Sequence, residues 1–278
     1  MNNKIVMCSD LHINFIRQKD DWEKRDEQYI KHFCSKIIAE NPLCIVITGD
    51  TSEYPTLDLD LKLIQKYTNN IPIYFILGNH DFYHGSIAKT KQKARDITLL
   101  SNNKIVWLEE NGIIKLTDKS CLIGADGFYD VYAGLAEYST LNMSDFHLIE
   151  DFRFKHHLNR ISLCRQLAQQ SADIIERMVE EAVKTYETVY IATHVSPFVE
   201  SALGPDGRQS NSTWIPFFSN LTLGDKLIEL AEKNRELTLY VLAGHSHFPI
   251  KTQILENLHV NIGKAEYTEL HYQTIEIE

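Results

Sequence analysis

The feature of this sequence that most constrains its fold is a series of short, almost uninterrupted apolar runs separated by amphipathic segments. The runs are residues 4–9, 43–48, 71–77, 188–193 and 239–243. Strands of a parallel sheet are buried on both faces, so they read as continuous apolar runs rather than as alternating ones. The pattern therefore predicts an α/β fold in which helices cover mostly parallel strands.

Segments with helical spacing lie between these runs. The clearest is residues 160–183, where apolar side chains recur at intervals of three and four along one face. Further helices are predicted at residues 21–40, 57–67, 86–100 and 223–234. Short strands are predicted at residues 105–108, 113–116 and 121–125, and several antiparallel strands are expected from residue 244 to residue 277.

Residues 126–160 break this alternation of strands and helices. The segment is rich in aromatic residues, and its apolar positions follow no helical or strand period. We therefore predict a single domain over residues 1–278, with a cap-like insertion at about residues 126–160. Phe128, Tyr129 and Tyr132 could narrow the entrance of a site or stack on a nucleobase. The alternative is a self-packed insertion, since aromatic residues usually form core.

The composition is that of an ordinary globular protein, and it narrows the classes of function. Five cysteines without CxxC spacing indicate buried thiols in a reducing compartment rather than a disulfide or zinc framework. Apolar runs are too short for a membrane span or a signal peptide, so a cytoplasmic protein without a membrane partner is expected. The net charge of −10 disfavours a nucleic-acid partner, although bound cations would reverse the sign within a site.

Clusters of polar side chains follow five of the predicted strands. In chain order they are Ser9-Asp10-Leu11-His12, Gly49-Asp50, Gly78-Asn79-His80-Asp81, Thr193-His194-Val195-Ser196-Pro197 and Gly244-His245-Ser246-His247. Functional loops of layered α/β folds gather at the carboxyl ends of the strands, so all five clusters could converge on one edge. A single histidine or Gly-Asp pair after a strand is common without any function, but five such clusters together indicate a shared site.

The side chains in these clusters are coherent as metal ligands. They offer aspartate oxygens, an amide oxygen and several imidazoles, and no thiolate, which suits Mn, Fe, Zn or Ni rather than a structural zinc site. In Asp-x-His and His-x-His, alternate side chains lie on one side of an extended segment, so both can face one metal centre. The glycines before Asp50, Asn79 and His245 fit tight turns that bring ligands close together.

These motifs resemble the motif set of the calcineurin-like metallophosphoesterases, and the resemblance runs from residue 10 to residue 247. It implies a four-layer αββα sandwich and two divalent metal ions at the ends of the strands. The ligands that the resemblance implies for one ion are Asp10, His12 and His247. Those that it implies for the other are Asn79, His194 and His245, with Asp50 bridging the two ions.

The same resemblance implies a mechanism in which two metal ions bind a phosphate and activate water for its hydrolysis. His80 is then expected to be no ligand but to protonate the leaving-group oxygen or to stabilise charge on the phosphoryl group. Asp81 is expected to orient the ring of His80. The alternative is that His80 serves only as a hydrogen-bond donor behind the ligands.

Two departures narrow the class of phosphoesterase. The related protein Ser/Thr phosphatases carry an arginine soon after the bridging aspartate and end the third motif in glutamate, whereas here residues 51–54 are Thr-Ser-Glu-Tyr and the third motif ends in Asp81. We therefore expect a phosphodiesterase or phosphatase acting on a small phosphorylated substrate, including nucleotides. A metal-dependent DNA nuclease is disfavoured by the acidic charge. A silent binding module is disfavoured because every expected ligand is present.

One further segment is a candidate for substrate binding. Residues 195–214 begin directly after His194 and form a long polar stretch. Such a stretch is typical of a mobile substrate loop, and a plain surface loop is the alternative.

Overall fold

The computed structural model describes residues 3–19, 21–139, 141–203, 208 and 213–277. Its strands are β1 (Lys4–Cys8), β2 (Arg17–Gln18), β3 (Asp21–Arg25), β4 (Ile45–Thr48), β5 (Ile73–Ile76), β6 (Ile105–Trp107), β7 (Ile114–Lys115), β8 (Ser120–Gly124), β9 (Thr188–Ala192), β10 (Thr238–Ala243), β11 (Ile250–Leu255), β12 (Leu258–Ile262) and β13 (Gln273–Glu276). Its α-helices are α1 (Glu27–Glu40), α2 (Leu57–Tyr67), α3 (Ile87–Leu100), α4 (Asp145–Leu148), α5 (His157–Ala182) and α6 (Leu221–Lys233).

Most of the strands belong to two mixed sheets. The first has five strands in the order β13-β1-β4-β5-β6, and the second has six in the order β11-β12-β10-β9-β8-β7. In the first sheet β1, β4, β5 and β6 are parallel, and in the second β8, β9, β10 and β12 are parallel. The antiparallel strands β13, β11 and β7 lie at sheet edges.

The two sheets pack face to face, and helices cover their outer faces. Met7, Val46 and Ile76 of the first sheet share a buried cluster with Leu122 and Leu242 of the second. Helices α1, α2 and α3 pack on the outer face of the first sheet, and α5 and α6 pack on that of the second. The predicted four-layer αββα sandwich is confirmed.

Strand β1 illustrates why the apolar runs are continuous. Successive side chains of a strand point to opposite faces of the sheet. Ile5 and Met7 therefore lie in the layer between the sheets, whereas Val6 and Cys8 pack under the helices. Because both faces are buried, each position of the strand must be apolar.

The helix predicted at residues 21–40 begins later than the sequence pattern indicates, so this prediction is wrong at its first turn. Residues 21–25 form β3, which pairs with β2 as an antiparallel hairpin. Helix α1 begins after Asp26, whose side-chain oxygen accepts a hydrogen bond from the backbone N–H of Tyr29 at 3.0 Å. This bond satisfies one of the free N–H groups of the first turn and places the start of the helix there.

The prediction of antiparallel strands after residue 243 is only partly correct. Strand β11 is antiparallel to β12, but β12 is parallel to β10, and β13 leaves this sheet to pair antiparallel with β1. Alternating burial in β12 shows a half-buried strand. Such a pattern reports which face is buried, but it does not report which strand is the neighbour.

The aromatic-rich segment between β8 and α5 folds largely into the core. It contains α4 and short 3-10 turns, and the rings of Phe128, Tyr129, Phe146 and Phe152 are buried in the cluster beneath the first sheet's helices. This packing matches the self-packed alternative, and it removes Phe128 and Tyr129 from any stacking role at an entrance. The division into one domain with an insertion stays a prediction.

Two other expectations concern the rest of the chain. Among the helices that the structure describes, none combines the length and the apolar character needed to span a bilayer. The candidate substrate loop at residues 195–214 lies partly outside the described residues, which omit 204–207 and 209–212.

A substitution between the sheets tests this packing. Leu122 is completely buried there, so Leu122→Ala is expected to lower the free energy of unfolding by about 2–5 kcal/mol. Leu100 at the end of α3 is 74% exposed, and Leu100→Ala is expected to change that free energy by less than about 0.5 kcal/mol. Urea denaturation of both variants measures the difference, and equal losses would contradict the assignment of the inter-sheet core.

Candidate metal centre

The five polar clusters predicted from the sequence meet at one place. Three of them follow β1, β4 and β5 of the first sheet, and two follow β9 and β10 of the second. The expected single edge is therefore the common edge of two packed sheets. The ends of parallel strands bring their side chains together there.

Asp10, His12 and His247 form one group of candidate ligands. The Nε2 atoms of His12 and His247 are 3.2 Å apart, and His247 Nε2 lies 3.3 Å from Asp10 Oδ1. One ligand atom from each residue lies within 4.8 Å of the others. The Asp10 carboxylate also accepts a hydrogen bond from the backbone N–H of His245 at 3.0 Å, which ties the turn after β1 to the turn after β10. The group brings together the side chains expected around the first ion.

Asp50, His194 and His245 form the second group, and Asn79 lies beside it. One ligand atom from each of Asp50, His194 and His245 lies within 4.8 Å of the others. The Nε2 atom of His194 is 3.4 Å from Asp50 Oδ2 and 3.0 Å from Asn79 Oδ1. The amide oxygen of Asn79 therefore faces the same point as the imidazole and the carboxylate.

Backbone carbonyls determine which nitrogen of two histidines faces the site. The Nδ1 atom of His194 donates to the carbonyl oxygen of Thr48 at 2.8 Å, so Nε2 is the nitrogen that faces Asp50 and Asn79. The Nε2 atom of His245 donates to the carbonyl oxygen of Phe217 at 2.8 Å, so Nδ1 is the nitrogen that could bind a metal ion. Hydrogen bonds of this kind orient metal-binding imidazoles and select the tautomer.

Asp50 lies between the two groups. Its Oδ2 atom is 3.4 Å from His194 Nε2 in one group and 4.0 Å from His12 Nε2 in the other. Its Oδ1 atom accepts the backbone N–H of His80 at 2.8 Å. Asp50 thus has the position that a residue shared by two cations requires.

The electrostatics of the site favour bound positive charge. Burial acts to raise the pKa of Asp50, but the nearby rings of His194 and His80 hold it well below its usual range. Burial lowers the pKa of His12 to about 3 and that of His245 to about 4, so both rings are neutral near pH 7. Buried carboxylates beside neutral imidazoles and an amide oxygen fit divalent cations.

Five of the candidate ligands share an unusual backbone conformation. Left-handed φ angles occur at Asp10 (49°), His12 (43°), Asp50 (51°), His245 (68°) and His247 (62°). Non-glycine residues reach this region at a cost of about 1–3 kcal/mol each, and such strain is typical of functional sites. The rest of the fold must therefore hold these turns in place.

Glycines allow the ligand turns to approach one another. A Cβ atom added at Gly78 would clash with Asp50 Oδ1 and would lie 2.6 Å from the Asp50 backbone nitrogen. One added at Gly244 would clash with Ser9 Oγ and Asp10 Oδ2. Only glycine fits between the turns at these two positions.

His80 lies at the solvent side of the site. Its ring packs edge-on against that of His12 at 4.5 Å between centroids, and it lies 4.3 Å from the ring of Tyr83 at an angle of 30° between the two rings. The Nε2 atom is 4.0 Å from Asp50 Oδ2, and Nδ1 is a buried atom without a hydrogen-bond partner within the described part of the chain. The geometry therefore also allows His80 to approach a cation together with His12 and Asp50.

Asp81 does not contact the ring of His80 as the sequence analysis expected. Its carboxylate accepts the backbone N–H of Ser52 at 3.0 Å and that of Gly78 at 2.8 Å. Burial, followed by the charge of Asp50, raises its pKa well above the usual range. The structure thus gives Asp81 the task of holding two ligand loops together, because it lies beneath them rather than beside the imidazole.

Asp145 is a residue of the site that the sequence analysis missed. Its Oδ1 atom accepts hydrogen bonds from Asn79 Nδ2 at 2.7 Å and from the Tyr83 hydroxyl at 2.8 Å, and its Oδ2 atom accepts the Tyr129 hydroxyl at 2.7 Å. A carboxylate only accepts, so it must face the amide nitrogen. This contact turns the Asn79 oxygen toward His194.

No signal in the sequence points to this role of Asp145. The residue lies in the aperiodic aromatic segment, 66 positions from Asn79 along the chain. It belongs to none of the strand-exit clusters, and it becomes recognisable only when the segment is folded against the site.

Removal of the Asp145 carboxylate should weaken one metal position. Asp145→Ala leaves the Asn79 amide and two phenol hydroxyls without their acceptor. We expect a loss of affinity for one ion of roughly 10–100-fold, the scale of such supporting contacts. Metal content per chain at graded free Mn concentrations measures it.

Asp145→Asn is the matched control, because it keeps an acceptor oxygen of the same shape. It should retain more metal than Asp145→Ala at every concentration. Equal metal content in Asp145→Ala and the wild type would show that Asn79 needs no support from this carboxylate.

Comparison with known proteins places these features in a family. The model of the family described as calcineurin-like phosphoesterase matches residues 3–249 of the chain. A search of curated protein sequences finds no match to the chain. The matched residues include every candidate ligand described above.

Solved structures share the architecture at low sequence identity. A dimetal phosphatase from Danio rerio has a TM-score of 0.61 at 11% identity and covers 99% of this chain and 92% of its own. A protein from Thermus thermophilus has a TM-score of 0.54 at 11% identity over 100% of both chains. The 5'-nucleotidase of Candida albicans has a TM-score of 0.50 at 12% identity over 98% of this chain and 48% of the nucleotidase.

At such identities these structures support the fold alone, and the family follows from the sequence match over most of the chain. That match agrees with the two groups of metal-binding side chains at the ends of the strands. The chain therefore belongs to the calcineurin-like phosphoesterase family, and it is a metal-dependent hydrolase of phosphoesters.

Proposed function

We propose that this enzyme hydrolyses phosphate esters as a small-molecule or nucleotide phosphodiesterase or phosphatase, and that it uses two divalent metal ions. The observation that carries the proposal is the position of Asp50 between two groups of ligand atoms, at 3.4 Å from His194 Nε2 and 4.0 Å from His12 Nε2. A shared carboxylate between two donor groups is suited to a pair of ions.

The division of ligands follows the two groups. Those that would hold one ion are Asp10, His12 and His247, and those that would hold the other are Asn79, His194 and His245, with Asp50 between them. When bound, the ions supply positive charge for the phosphoryl oxygens and make water a stronger acid at neutral pH. The donor set of nitrogen and oxygen without sulfur suits Mn, Fe, Zn or Ni, and we favour Mn.

His80 is the proton donor in this proposal. Its backbone N–H donates a hydrogen bond to Asp50 Oδ1 at 2.8 Å, and its ring contacts the rings of His12 and Tyr83. Nδ1 is buried, so Nε2 is the atom that can pass a proton to the oxygen of the leaving group. Asp81 supports this step indirectly, because its carboxylate accepts a hydrogen bond from the backbone N–H of Gly78 in the loop that contains His80.

A small substrate fits the chain better than a polynucleotide does. The formal net charge of −10 repels an extended phosphate backbone, whereas a single phosphate needs only the local charge of the ions. A dimetal phosphatase and a 5'-nucleotidase share the fold, which supports both kinds of small substrate. A DNA nuclease remains the enzymatic alternative. A silent binding module is disfavoured because every expected ligand side chain faces the site.

We also propose that the enzyme works in the cytoplasm. All five cysteines lie in the described part of the chain, and all five are buried free thiols. Burial raises the pKa of Cys34, Cys44 and Cys121 to about 12, so these thiols stay protonated and unreactive. Buried free thiols without disulfides support a reducing compartment.

Hydrolysis of p-nitrophenyl phosphate and bis-p-nitrophenyl phosphate by the metal-stripped enzyme tests the proposal, with Mn, Ni, Zn, Fe(II) or Mg added back. We expect turnover only with added metal, and the better of the two substrates identifies a monoesterase or a diesterase. Asp50→Asn should lose both bound metal and turnover because the shared charge is removed. Turnover in the presence of a chelator would sink the two-ion mechanism.

His80→Ala separates proton transfer from metal binding. We expect it to keep the metal content of the wild type and to lose turnover by about 10²–10⁴-fold, the range for a general acid. The loss should be smaller for p-nitrophenyl esters than for alkyl esters, since a good leaving group needs less protonation. A metal-depleted His80→Ala that recovers full turnover at high metal concentration would identify His80 as a ligand instead.

A further inference from the structure

The candidate metal centre is partly open to solvent at its histidines. The side chains of His80 and His247 are 17% and 23% exposed, and His245 is half-buried. The side chains of His12 and His194 are fully buried. A phosphate must therefore reach the ligands past the exposed histidines.

Two large aromatic side chains stand at this opening. The ring of Tyr267 lies 4.7 Å from that of His12, 5.2 Å from that of His247 and 6.4 Å from that of His80. Phe15 packs edge-on against Tyr267 at 5.2 Å, with an angle of 71° between the rings. Both side chains keep much of their surface in water, since Tyr267 is 49% exposed and Phe15 is 40% exposed.

The exposed surfaces of these two rings are available for contact with a further aromatic group. Buried aromatic residues contribute to stability by removing their surface from water, but these two keep much of their surface exposed directly beside the candidate metal centre. The three aromatic residues of the 126–160 segment that the sequence offered for stacking do not take this place. Phe128 and Tyr129 are buried, and Tyr132 lies under the guanidinium of Arg165 at 4.3 Å.

The position of His80 determines which part of a substrate meets the two rings. The proposed proton donor must lie next to the oxygen of the leaving group, and the exposed ring of Tyr267 lies 6.4 Å from the ring of His80 between centroids. With the phosphate at the candidate metal centre, the substituent on that oxygen would come within reach of Tyr267 and Phe15.

We propose that Tyr267 and Phe15 form a subsite that stacks a flat aromatic ring carried by the leaving group of the ester, an inference that rests on the proposed function. Hydrolysis forms a P–O bond to water, breaks the P–O bond to the leaving group and transfers a proton to the leaving oxygen. The product released over the two rings is an alcohol that carries an aromatic group, either a nucleoside or an aryl-substituted alcohol.

A matched pair of substrates tests the subsite. Benzyl and cyclohexylmethyl phosphate differ in the flatness of one ring, whereas their leaving alcohols have similar size and acidity. Each is supplied as the monoester and as the methyl diester. We expect the wild type, loaded with metal, to favour the benzyl ester, and Tyr267→Leu to lower the benzyl-to-cyclohexylmethyl ratio of kcat/KM by about tenfold, the scale of one stacking contact.

Three further variants complete the comparison. Phe15→Leu should lower the same ratio, and Tyr267→Phe should restore it, because a phenyl ring stacks as a phenol does. Phe154→Leu is the control, since Phe154 is a 99% exposed aromatic residue of the 126–160 segment. Metal content is measured for each variant, because Tyr267 also contacts the rings of His12 and His247.

The outcomes separate the subsite from the proposed function. Hydrolysis of neither ester by the metal-loaded wild type would overturn both. Hydrolysis of both esters with an unchanged ratio in Tyr267→Leu would overturn the subsite alone, and it would leave Tyr267 as a residue that only shields the ligands.

A second pair of substrates distinguishes the two sources of the aromatic ring. Adenosine 5'-phosphate carries a base, and ribose 5-phosphate has the same reacting group without it. A nucleoside subsite predicts that Tyr267→Leu lowers kcat/KM for the nucleotide about tenfold more than for the sugar phosphate. An effect confined to the benzyl ester would assign the subsite to aryl-substituted alcohols, and an effect on neither pair would overturn it.

Discussion

Imidazole nitrogens and carboxylate and amide oxygens that follow strands of both sheets face one another around the buried carboxylate of Asp50. Positive charge at this point stabilises the arrangement, because it offsets the buried negative charge. Burial acts to lower the pKa of His194, but the Asp50 carboxylate raises it to about 10. A proton on Nε2 therefore meets the demand for charge when no other cation does. Divalent ions would meet the same demand more fully, because Asn79 Oδ1 and the neutral ring of His245 also face the site and could serve as ligands, whereas a single proton on His194 satisfies neither.

This requirement explains why so much of the fold serves a few turns. The candidate ligands follow strands of two different sheets, so their separation depends on the apolar layer between the sheets, which includes Met7 and Leu242. Left-handed turns carry five of the candidate ligands, and such turns are costly without support. The support consists of a buried carboxylate beneath the loops, Asp81, and of glycines that let the turns touch, such as Gly78.

Much of this site could be predicted from the sequence because its determinants are local. A ligand directly after a continuous apolar strand is visible in a few residues, and the strand order then brings five such positions together. The start of α1 differs from its prediction because residues 21–25 pair with β2, and tertiary pairing overrides a helical pattern. The partners of β12 and β13 escape prediction because a strand pattern shows which face is buried and not which strand is the neighbour. The contact between Asp145 and Asn79 joins distant residues, and no period or motif encodes it.

The segment at residues 126–160 contributes to the site from inside the fold rather than from the entrance. The sequence left both a cap over the entrance and a self-packed insertion open. The rings of the segment are buried, and Asp145 lies among them, where it accepts a hydrogen bond from the amide of Asn79. The aromatic surface at the entrance comes instead from two distant parts of the chain, Phe15 after β1 and Tyr267 after β12. Because neither residue is a ligand, each can change without loss of the metal-binding groups. Substrate preference can therefore vary at the rim while the buried chemistry stays the same.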